Sequence, residues 1–381
     1  MNSVNPLNSE HLMHLAIEQA KRGAGYVSPN PLVGAVIEKN GHVVATGYHH
    51  KFGEQHAERD AIANARADGI DLEGATIAVN LEPCCHHGKQ PPCVDAIIES
   101  KFSAVIVGMT DPNPLVSGKG CEILRNSGLE IVPNVLRREC EFLNRFFIKH
   151  VLTNKPYIIG KAATSLDGFI ACENGNSKWI SGEESRKRVH QLRAEVDAVL
   201  IGKNTALHDN PQLTVRSVPG RSPKRIVLDT NLELPTNLQL FNDEYAAQTF
   251  VVCKLNPDHP ENAELLTNKG VTLITSETDS TGRVALPCAL ETLGGKYAIA
   301  SILVEGGAGI YSAMIRENLF DEFRLYQAPI FLGRGISLAS CISTESVADA
   351  KRFRYLSTEP SGEDAEHILL NYQQLTQDTK Q

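Results

Sequence analysis

Three residues set far apart in the chain constrain its fold more than its composition does: His56, Cys84 and Cys93. They stand in two short stretches, His56-Ala57-Glu58 and Glu82-Pro83-Cys84-Cys85-His86-His87-Gly88-Lys89-Gln90-Pro91-Pro92-Cys93. An imidazole and two thiolates are soft ligands for zinc, and three protein ligands leave the fourth tetrahedral position open for water. A structural zinc site would be closed by a fourth residue. Glu58, two residues beyond the His, is free to move protons rather than hold metal. Eight residues separate Cys84 from Cys93, and Cys85 competes for the ion. Adjacent side chains seldom reach one metal together with a third thiol. The plain structural alternative is a set of buried thiols in an intracellular protein.

His-x-Glu followed by Pro-Cys and a second Cys resembles the zinc nucleobase deaminases, so the first half reads as a hydrolytic deaminase. A chain of 381 residues is long enough for two domains. Its net charge of −8 argues against a polyanionic partner, because nucleic-acid binding needs clustered Lys and Arg. Nine scattered cysteines give no disulfide framework and fit a reducing compartment. With no basic segment and apolar core at the N-terminus, and no apolar run near the ~20 residues of a membrane span, a cytoplasmic protein is expected.

Helical spacing over residues 10–22 predicts a helix with Ser9 as N-cap, stopped by Gly23 and Gly25. Ser28-Pro29-Asn30-Pro31 must be a loop, since paired prolines deny helix and interior strand. Val33–Glu38 and His42–Thr46 read as strands joined through Asn40-Gly41, a strong hairpin signal. A helix is expected from His56 to Ala67, a buried strand over Thr76–Asn80 delivering Cys84, and a helix over Cys93–Glu99 behind Pro91-Pro92. Cysteine at a helix N-terminus is favoured as thiolate, which suits a zinc ligand. Further strands are expected at Ala104–Met109 and Leu129–Val132, and helices at Lys119–Asn126 and Arg137–Val151. Alternating strands and helices imply a layered α/β sheet.

Lys155-Pro156 marks the boundary, giving domains of residues 1–152 and 153–381. Beyond it, strands are expected at Tyr157–Ala163, Phe169–Cys172, Ala198–Ile201, Arg225–Asp229, Thr249–Cys253, Val271–Ile274, Ser301–Val304 and Glu322–Ala328. Ser181-Gly182-Glu183-Glu184 has the form of a capping box opening a helix to Arg193. No Gly-x-Gly-x-x-Gly opens a helix, so a Rossmann dinucleotide site is not indicated. Gly306-Gly307-Ala308-Gly309 does lie between a strand and the helix Ile310–Arg316, where bare amides can cradle a phosphate. This second half is a separate α/β domain.

Together the halves resemble one family, the bifunctional deaminase/reductase of riboflavin biosynthesis. The resemblance runs from Ser28-Pro29-Asn30-Pro31-Leu32-Val33-Gly34 to Leu332-Gly333. It rests on the Glu82–Cys93 motif, on Lys161-Ala162-Ala163-Thr164-Ser165-Leu166-Asp167-Gly168 with Ser177-Lys178-Trp179-Ile180, and on Asp209-Asn210-Pro211-Gln212-Leu213-Thr214 and Val304-Glu305-Gly306-Gly307. Cys85 stands where that family usually has Ser, and Gln90 where it has Thr. The family implies a cytidine-deaminase-like layered domain followed by a dihydrofolate-reductase-like one.

What the resemblance implies chemically is a pyrimidine carrying a ribosylamino phosphate, which loses its ring 2-amino group and then has its ribose chain reduced by NADPH to a ribityl chain. Zn2+ would be held by His56, Cys84 and Cys93, with Glu58 as the proton-moving catalytic residue. Asn30, His49, His86 and Lys89 would hold the first substrate. Ala163, Trp179, Thr205, Asp209, Thr230, Gly307, Ala308, Gly309, Ile310, Tyr311, Ser312 and Ala313 would line the NADPH site. Lys161, Ser177, Arg193, Leu213, Arg216 and Glu305 would meet the second substrate, the arginines suiting its phosphate through their fixed fork of donors. Lys161 and Asp209, placed near strand ends, are candidates for polarising and proton transfer. Without the resemblance, Trp179 would read as a core or interface residue, His49 as a surface histidine, and Lys161 with Asp209 as an ion pair. A small-molecule substrate, no nucleic acid or membrane partner, and a homo-oligomeric assembly are expected. Two other readings are a zinc nucleoside or nucleic-acid deaminase with a C-terminal recognition module, and a zinc-stabilised interaction protein without catalysis. The acidic balance opposes the nucleic-acid reading, and Glu58 beside an incomplete ligand set opposes the non-catalytic one.

Overall fold

The computed structural model describes residues 6–86, 91–114 and 116–371. It divides into two compact units, Met1–Asn154 and Lys155–Gln381. In the first unit the elements run α1 (Pro6–Lys21), β1 (Gly34–Lys39), β2 (His42–Tyr48), α2 (Ala57–Ala67), β3 (Thr76–Leu81), α3 (Cys93–Glu99), β4 (Ala104–Met109), α4 (Lys119–Asn126), β5 (Glu130–Val132), α5 (Arg137–Leu143) and α6 (Arg145–Thr153). The sheet order is β2-β1-β3-β4-β5, antiparallel across β1 and parallel from β3 to β5. Asn40 and Gly41 both take positive φ, as the two-residue hairpin turn requires.

Successive strand residues face opposite sides of a sheet, so one sheet supplies two cores. Val36, Ala78 and Ile106 pack with Leu12, Met13 and Ala16 of α1. Their neighbours Ile37, Ile77, Val79 and Val105 pack with Ala57, Ala61 and Ala65 of α2 and Val94 and Ile97 of α3. This second layer sets the N-termini of α2 and α3 side by side, and they carry His56 and Cys93.

Three local expectations fail in this unit or the next, two of them for reasons of tertiary bonding. Ser9 is buried within α1, which begins at Pro6, and so is not its N-cap. The single helix expected over Arg137–Val151 breaks at Asn144 into α5 and α6. Asn144 is buried and gives its side chain to Leu32: Oδ1 accepts from the Leu32 amide at 2.8 Å and Nδ2 donates to the Leu32 carbonyl at 3.0 Å. The capping box at Ser181 does not form either. The helix there starts after Gly182, with no side-chain cap of its own, and the Gly182 amide donates instead to Asp364 at 2.7 Å.

The second unit runs β6 (Tyr157–Thr164), β7 (Phe169–Cys172), α7 (Glu183–Glu195), β8 (Ala198–Gly202), α8 (Lys203–Asp209), β9 (Lys224–Leu228), β10 (Thr249–Lys254), α9 (Glu261–Thr267), β11 (Thr272–Ser276), α10 (Leu286–Tyr297), β12 (Ser301–Val304), α11 (Ala308–Arg316), β13 (Glu322–Gln327), β14 (Gly335–Ser337), β15 (Phe353–Ser361) and β16 (Asp364–Asn371). Nine strands form one sheet in the order β11-β10-β9-β8-β12-β6-β13-β16-β15, while β7 and β14 make a separate ribbon. The sheet is parallel from β11 to β13, and the hairpin β15–β16 closes it antiparallel. That hairpin and β14 are strands the sequence reading did not anticipate. Apolar runs such as Ile158, Leu200, Ile226, Val252, Ile302 and Val304 are buried between the sheet and α10 and α11, as parallel strands covered on a face must be. No helix among the described residues is long and apolar enough to cross a membrane.

Candidate active sites and family

In the first unit, His56 caps α2 without using its side chain, Cys84 follows β3, and Cys93 opens α3. Their ligand atoms lie within 4.8 Å of one another. His56 Nδ1 is 3.5 Å from Cys84 Sγ and 3.4 Å from Cys93 Sγ. Tetrahedral zinc with Zn–S near 2.3 Å and Zn–N near 2.0–2.1 Å imposes ligand separations of about 3.5 Å, so the donor set fits this ion. Cys85 is outside the cluster and packs against the apolar layer. The hydrogen bond from Cys93 lowers the Cys84 thiol to about 4, and the same bond, with burial, pushes Cys93 well above its ordinary value. The Cys93 amide also donates to Cys84 Sγ at 3.4 Å. One thiolate is thus already favoured by the protein groups around it.

Glu58 sits in the first turn of α2 and is 3% exposed. Burial raises its carboxyl to about 7, with the Cys84 charge adding to the effect. A cation on the sulfurs would pull it back down. A buried carboxyl beside the ligands, outside the ligand set, is the arrangement a general acid–base needs.

The loop before β1 faces the same place. Asn30 Nδ2 donates to His49 Nε2 at 3.1 Å, while His49 Nδ1 bonds the Gln55 carbonyl at 3.0 Å. These partners fix one tautomer, and burial lowers the His49 pKa, so the ring is a neutral orienting group rather than a surface histidine. Its ring centroid is 5.7 Å from that of His56. Two residues that sequence reasoning missed hold this loop. Asn80 donates to the Leu32 carbonyl at 2.9 Å and accepts from the Gly34 amide at 2.8 Å, and Asn144 grips Leu32 as described. A lone Asn in a buried strand was the available signal for Asn80. His86 is exposed, and Lys89 lies outside the described residues.

In the second unit, parallel pairing of Val304 with Gly160 brings Glu305 beside Lys161. Glu305 takes a two-point ion pair from Arg193 of α7, Nε to Oε1 at 2.6 Å and Nη2 to Oε2 at 2.8 Å, and Arg193 Nη1 donates to the Thr214 carbonyl at 3.1 Å. The fork expected to meet phosphate is therefore spent on Glu305. Arg216 lies close by: its Nη1 donates to Gln212 Oε1 at 2.7 Å and Thr214 Oγ1 at 3.1 Å. Its amide donates to Nδ1 of His190 at 3.2 Å, a residue unforeseen from sequence. Burial, then the two arginines, lowers His190 to about 4, which keeps it a neutral acceptor. Burial also lowers the Lys161 pKa, against the pull of Glu305. Leu213 is buried with positive φ.

Around α11, a Cβ built on Gly307 would lie 3.9 Å from Thr205 Oγ1, and one on Gly309 would meet nothing within 4 Å. The helix N-terminus is open, and its first amides can take a phosphate, which fits a dinucleotide. Ala163 sits on β6 and Ala313 on α11. Tyr311 and Ser312 turn inward: the Tyr311 hydroxyl donates to the Lys161 carbonyl, and Ser312 Oγ accepts from the Cys341 amide at 3.1 Å. Only their backbones remain for a cofactor. Asp209 is an exposed residue ending α8, not a group at a strand end, because the chain turns into helix straight after β8. Trp179 is 71% exposed rather than buried, with the Arg186 guanidinium 4.8 Å above its ring, and Ser177 is exposed beside it. Thr230 follows β9, and its hydroxyl accepts from the Val284 amide at 3.4 Å.

Residues 156–366 match the family described as the RibD C-terminal domain, and residues 7–109 match the cytidine and deoxycytidylate deaminase zinc-binding region. The riboflavin biosynthesis protein RibD of Actinobacillus pleuropneumoniae is 39% identical over 374 residues, 97% of this chain and 96% of the relative. The chain belongs to the RibD family. RibD of Aquifex aeolicus is 41% identical, over 93% of this chain and 96% of its own length. Among solved structures, the Thermotoga maritima diaminohydroxyphosphoribosylaminopyrimidine deaminase/5-amino-6-(5-phosphoribosylamino)uracil reductase aligns with a TM-score of 0.85 at 37% identity, over 96% of this chain and 99% of its own. Acinetobacter baumannii RibD aligns with a TM-score of 0.84 at 35% identity and the same coverage. The chain is thus a riboflavin-biosynthesis enzyme with a deaminase half and a reductase half, using zinc and NADPH.

Proposed function

We propose that residues 1–152 deaminate a diaminopyrimidine carrying a ribosylamino phosphate, and that residues 153–381 reduce the ribose chain of the resulting aminouracil. The observation that carries the first step is a His–Cys–Cys cluster of tetrahedral spacing beside a buried carboxyl that is no part of it. Zinc bound to His56, Cys84 and Cys93 supplies Lewis acidity that makes water nucleophilic near neutral pH. Glu58 takes the proton of the attacking water, delivers it to a ring nitrogen and then assists the departing ammonia. Asn30, fixed through its bond to His49, presents the rest of its amide to the pyrimidine edge. His86 and Lys89 complete the substrate contacts.

In the second half NADPH supplies the hydride. The Gly307–Ala313 segment, Ala163, Trp179, Thr205, Asp209 and Thr230 form its site, with the open start of α11 taking a phosphate. Lys161, a half-buried ammonium of lowered pKa beside Glu305, gives up its proton as negative charge develops on the sugar oxygen. Arg193 orients Glu305, Arg216 meets the phosphate, and Ser177 and Leu213 border the substrate. The working protein is a cytoplasmic homo-oligomer acting on a small molecule; exposed Tyr355 and Leu356 on the terminal strand β15 support self-association.

The test is incubation of the full chain with the diaminopyrimidine phosphate and NADPH, following ammonia and nicotinamide absorbance together. Ammonia release must precede NADPH oxidation and must not occur with cytidine or RNA. Deamination of cytidine or RNA in preference would favour the nucleoside reading instead.

A further inference from the structure

Glu82 has no part in the chemistry above, yet it is among the most completely bonded carboxylates in the first unit. It is 4% exposed and lies two residues before Cys84. Three backbone amides converge on it: Asp111 at 3.1 Å and Gly118 at 2.9 Å on Oε2, and Cys121 at 3.1 Å on Oε1. Gly118 is the N-cap of α4 and Cys121 the third residue of that helix. Gly118 brings no side chain to cap those amides, so Glu82 does so from a distant segment. The helix end also favours a negative charge at that place.

The same helix turn presses on the backbone of the metal segment. A Cβ on Gly120 would lie 2.1 Å from the Pro83 carbonyl and 3.2 Å from Glu82 Oε1. Pro83 immediately precedes Cys84, whose carbonyl accepts from the Val94 amide at 3.3 Å and whose sulfur accepts from the Cys93 amide. Residues 82–84 are therefore clamped on one side by α4 and on the other by α3. From this geometry we infer that Glu82 is a positioning residue for the metal centre, holding the Cys84 sulfur at its place relative to His56 and Cys93. The inference rests on the deaminase reading of that cluster.

The chemistry requires a carboxylate. Three N–H donors face two oxygens that only accept. An amide in the same place turns its NH2 toward at least one of those donors, whichever way it is flipped. Glu82→Gln keeps the shape and loses that match, and Glu82→Asp keeps the charge but is a methylene too short to span Gly118 and Cys121.

The test uses the full chain, wild type against E82Q and E82D, with three readouts. They are zinc retention against a colour-forming chelator, the visible spectrum after cobalt replaces zinc, and NADPH oxidation with pre-deaminated substrate. E82Q is expected to hold zinc about 10–100-fold more weakly, to show an altered thiolate–cobalt band, and to oxidise NADPH at the wild-type rate; E82D should fall between. If E82Q does not accumulate folded, E82D decides on the same readouts. Wild-type zinc affinity and cobalt spectrum in the folded variant would overturn the inference, even with lowered thermal stability, because Glu82 would then be structural only. A wild-type chain that binds no zinc would overturn the deaminase reading itself, and the inference with it.

Discussion

Arg193 and Glu305, 112 residues apart, meet through two parallel hydrogen bonds at the carboxyl end of β12, where Lys161 also lies. Burial pushes the Glu305 carboxyl up, but the Arg193 charge and hydrogen bonds, with Lys161, outweigh it and leave its pKa below the ordinary value. A carboxyl lowered on folding contributes stability above its unfolded pKa, and that stability is lost as pH falls through the folded one. The second unit should therefore lose stability below about pH 4.3, the unperturbed Glu value. Glu305→Gln should cost on the order of 3 kcal/mol at neutral pH by leaving a mostly buried guanidinium without its counter-charge. Acid denaturation followed by circular dichroism should show that the variant lacks this pH-dependent part, and its NADPH oxidation should fall about 100-fold.

Glu58→Gln should lower deamination by about 10²–10⁴-fold while zinc content stays that of wild type. The carboxyl stands outside the ligand cluster, so the metal has no reason to leave. Elemental analysis showing zinc loss would make Glu58 a ligand. With metal removed, a carboxyl raised on folding to about 7 costs stability as pH rises toward and past that value. Metal-free E58Q should therefore unfold at a higher temperature than metal-free wild type at pH 8, and no higher at pH 4.

Cys93→Ser should lose zinc and Cys85→Ser should keep it. The first removes a donor 3.4 Å from His56 Nδ1, and the second alters a thiol packed in an apolar layer. Equal metal loss in the two variants would mean that the wrong thiol has been assigned.

Asn144→Ala should raise the deaminase KM and leave zinc content unchanged. The substitution removes both Asn144 bonds to Leu32, two residues beyond Asn30, and leaves its half-buried backbone N–H without that partner, while Asn80 still donates to its carbonyl. A stability loss of about 1–3 kcal/mol is expected, read from urea titration. A variant with wild-type KM would show that Asn80 alone fixes the loop.

A fragment starting near Thr153 should oxidise NADPH with the deaminated pyrimidine phosphate, without zinc, and use the undeaminated compound poorly. Contacts cluster into separate units that divide at Asn154, so the cut crosses no sheet. A soluble, folded fragment with no such activity would defeat the assignment of a complete reductase site to this half. An insoluble one calls for a start near Leu136, which retains α5 and α6.

The sequence by itself determined the local parts of this protein. Asn40-Gly41 dictates a hairpin because both positions need positive φ. Pro91-Pro92 followed by Cys93 dictates a helix start, and the spacing of soft ligands dictates a zinc pocket before any coordinate is known. These signals are carried by neighbouring residues, whose backbone preferences act whatever lies beyond them. Resemblance of motifs then extended the reading to the reductase half, where local pattern alone was weak.

Only the tertiary structure decided which polar groups meet across long loops. Asn144 breaks its own helix to bond Leu32, Asp364 replaces Ser181 at the start of α7, Glu82 caps α4, and His190 receives the Arg216 amide. Arg193 is paired with Glu305 instead of being left open to phosphate, and Trp179 is held out in solvent. In each of these pairings a donor or acceptor shielded from water must find a partner, and the partner lies far along the chain. Which one it finds depends on sheet register and helix packing, and a propensity summed over neighbours contains neither.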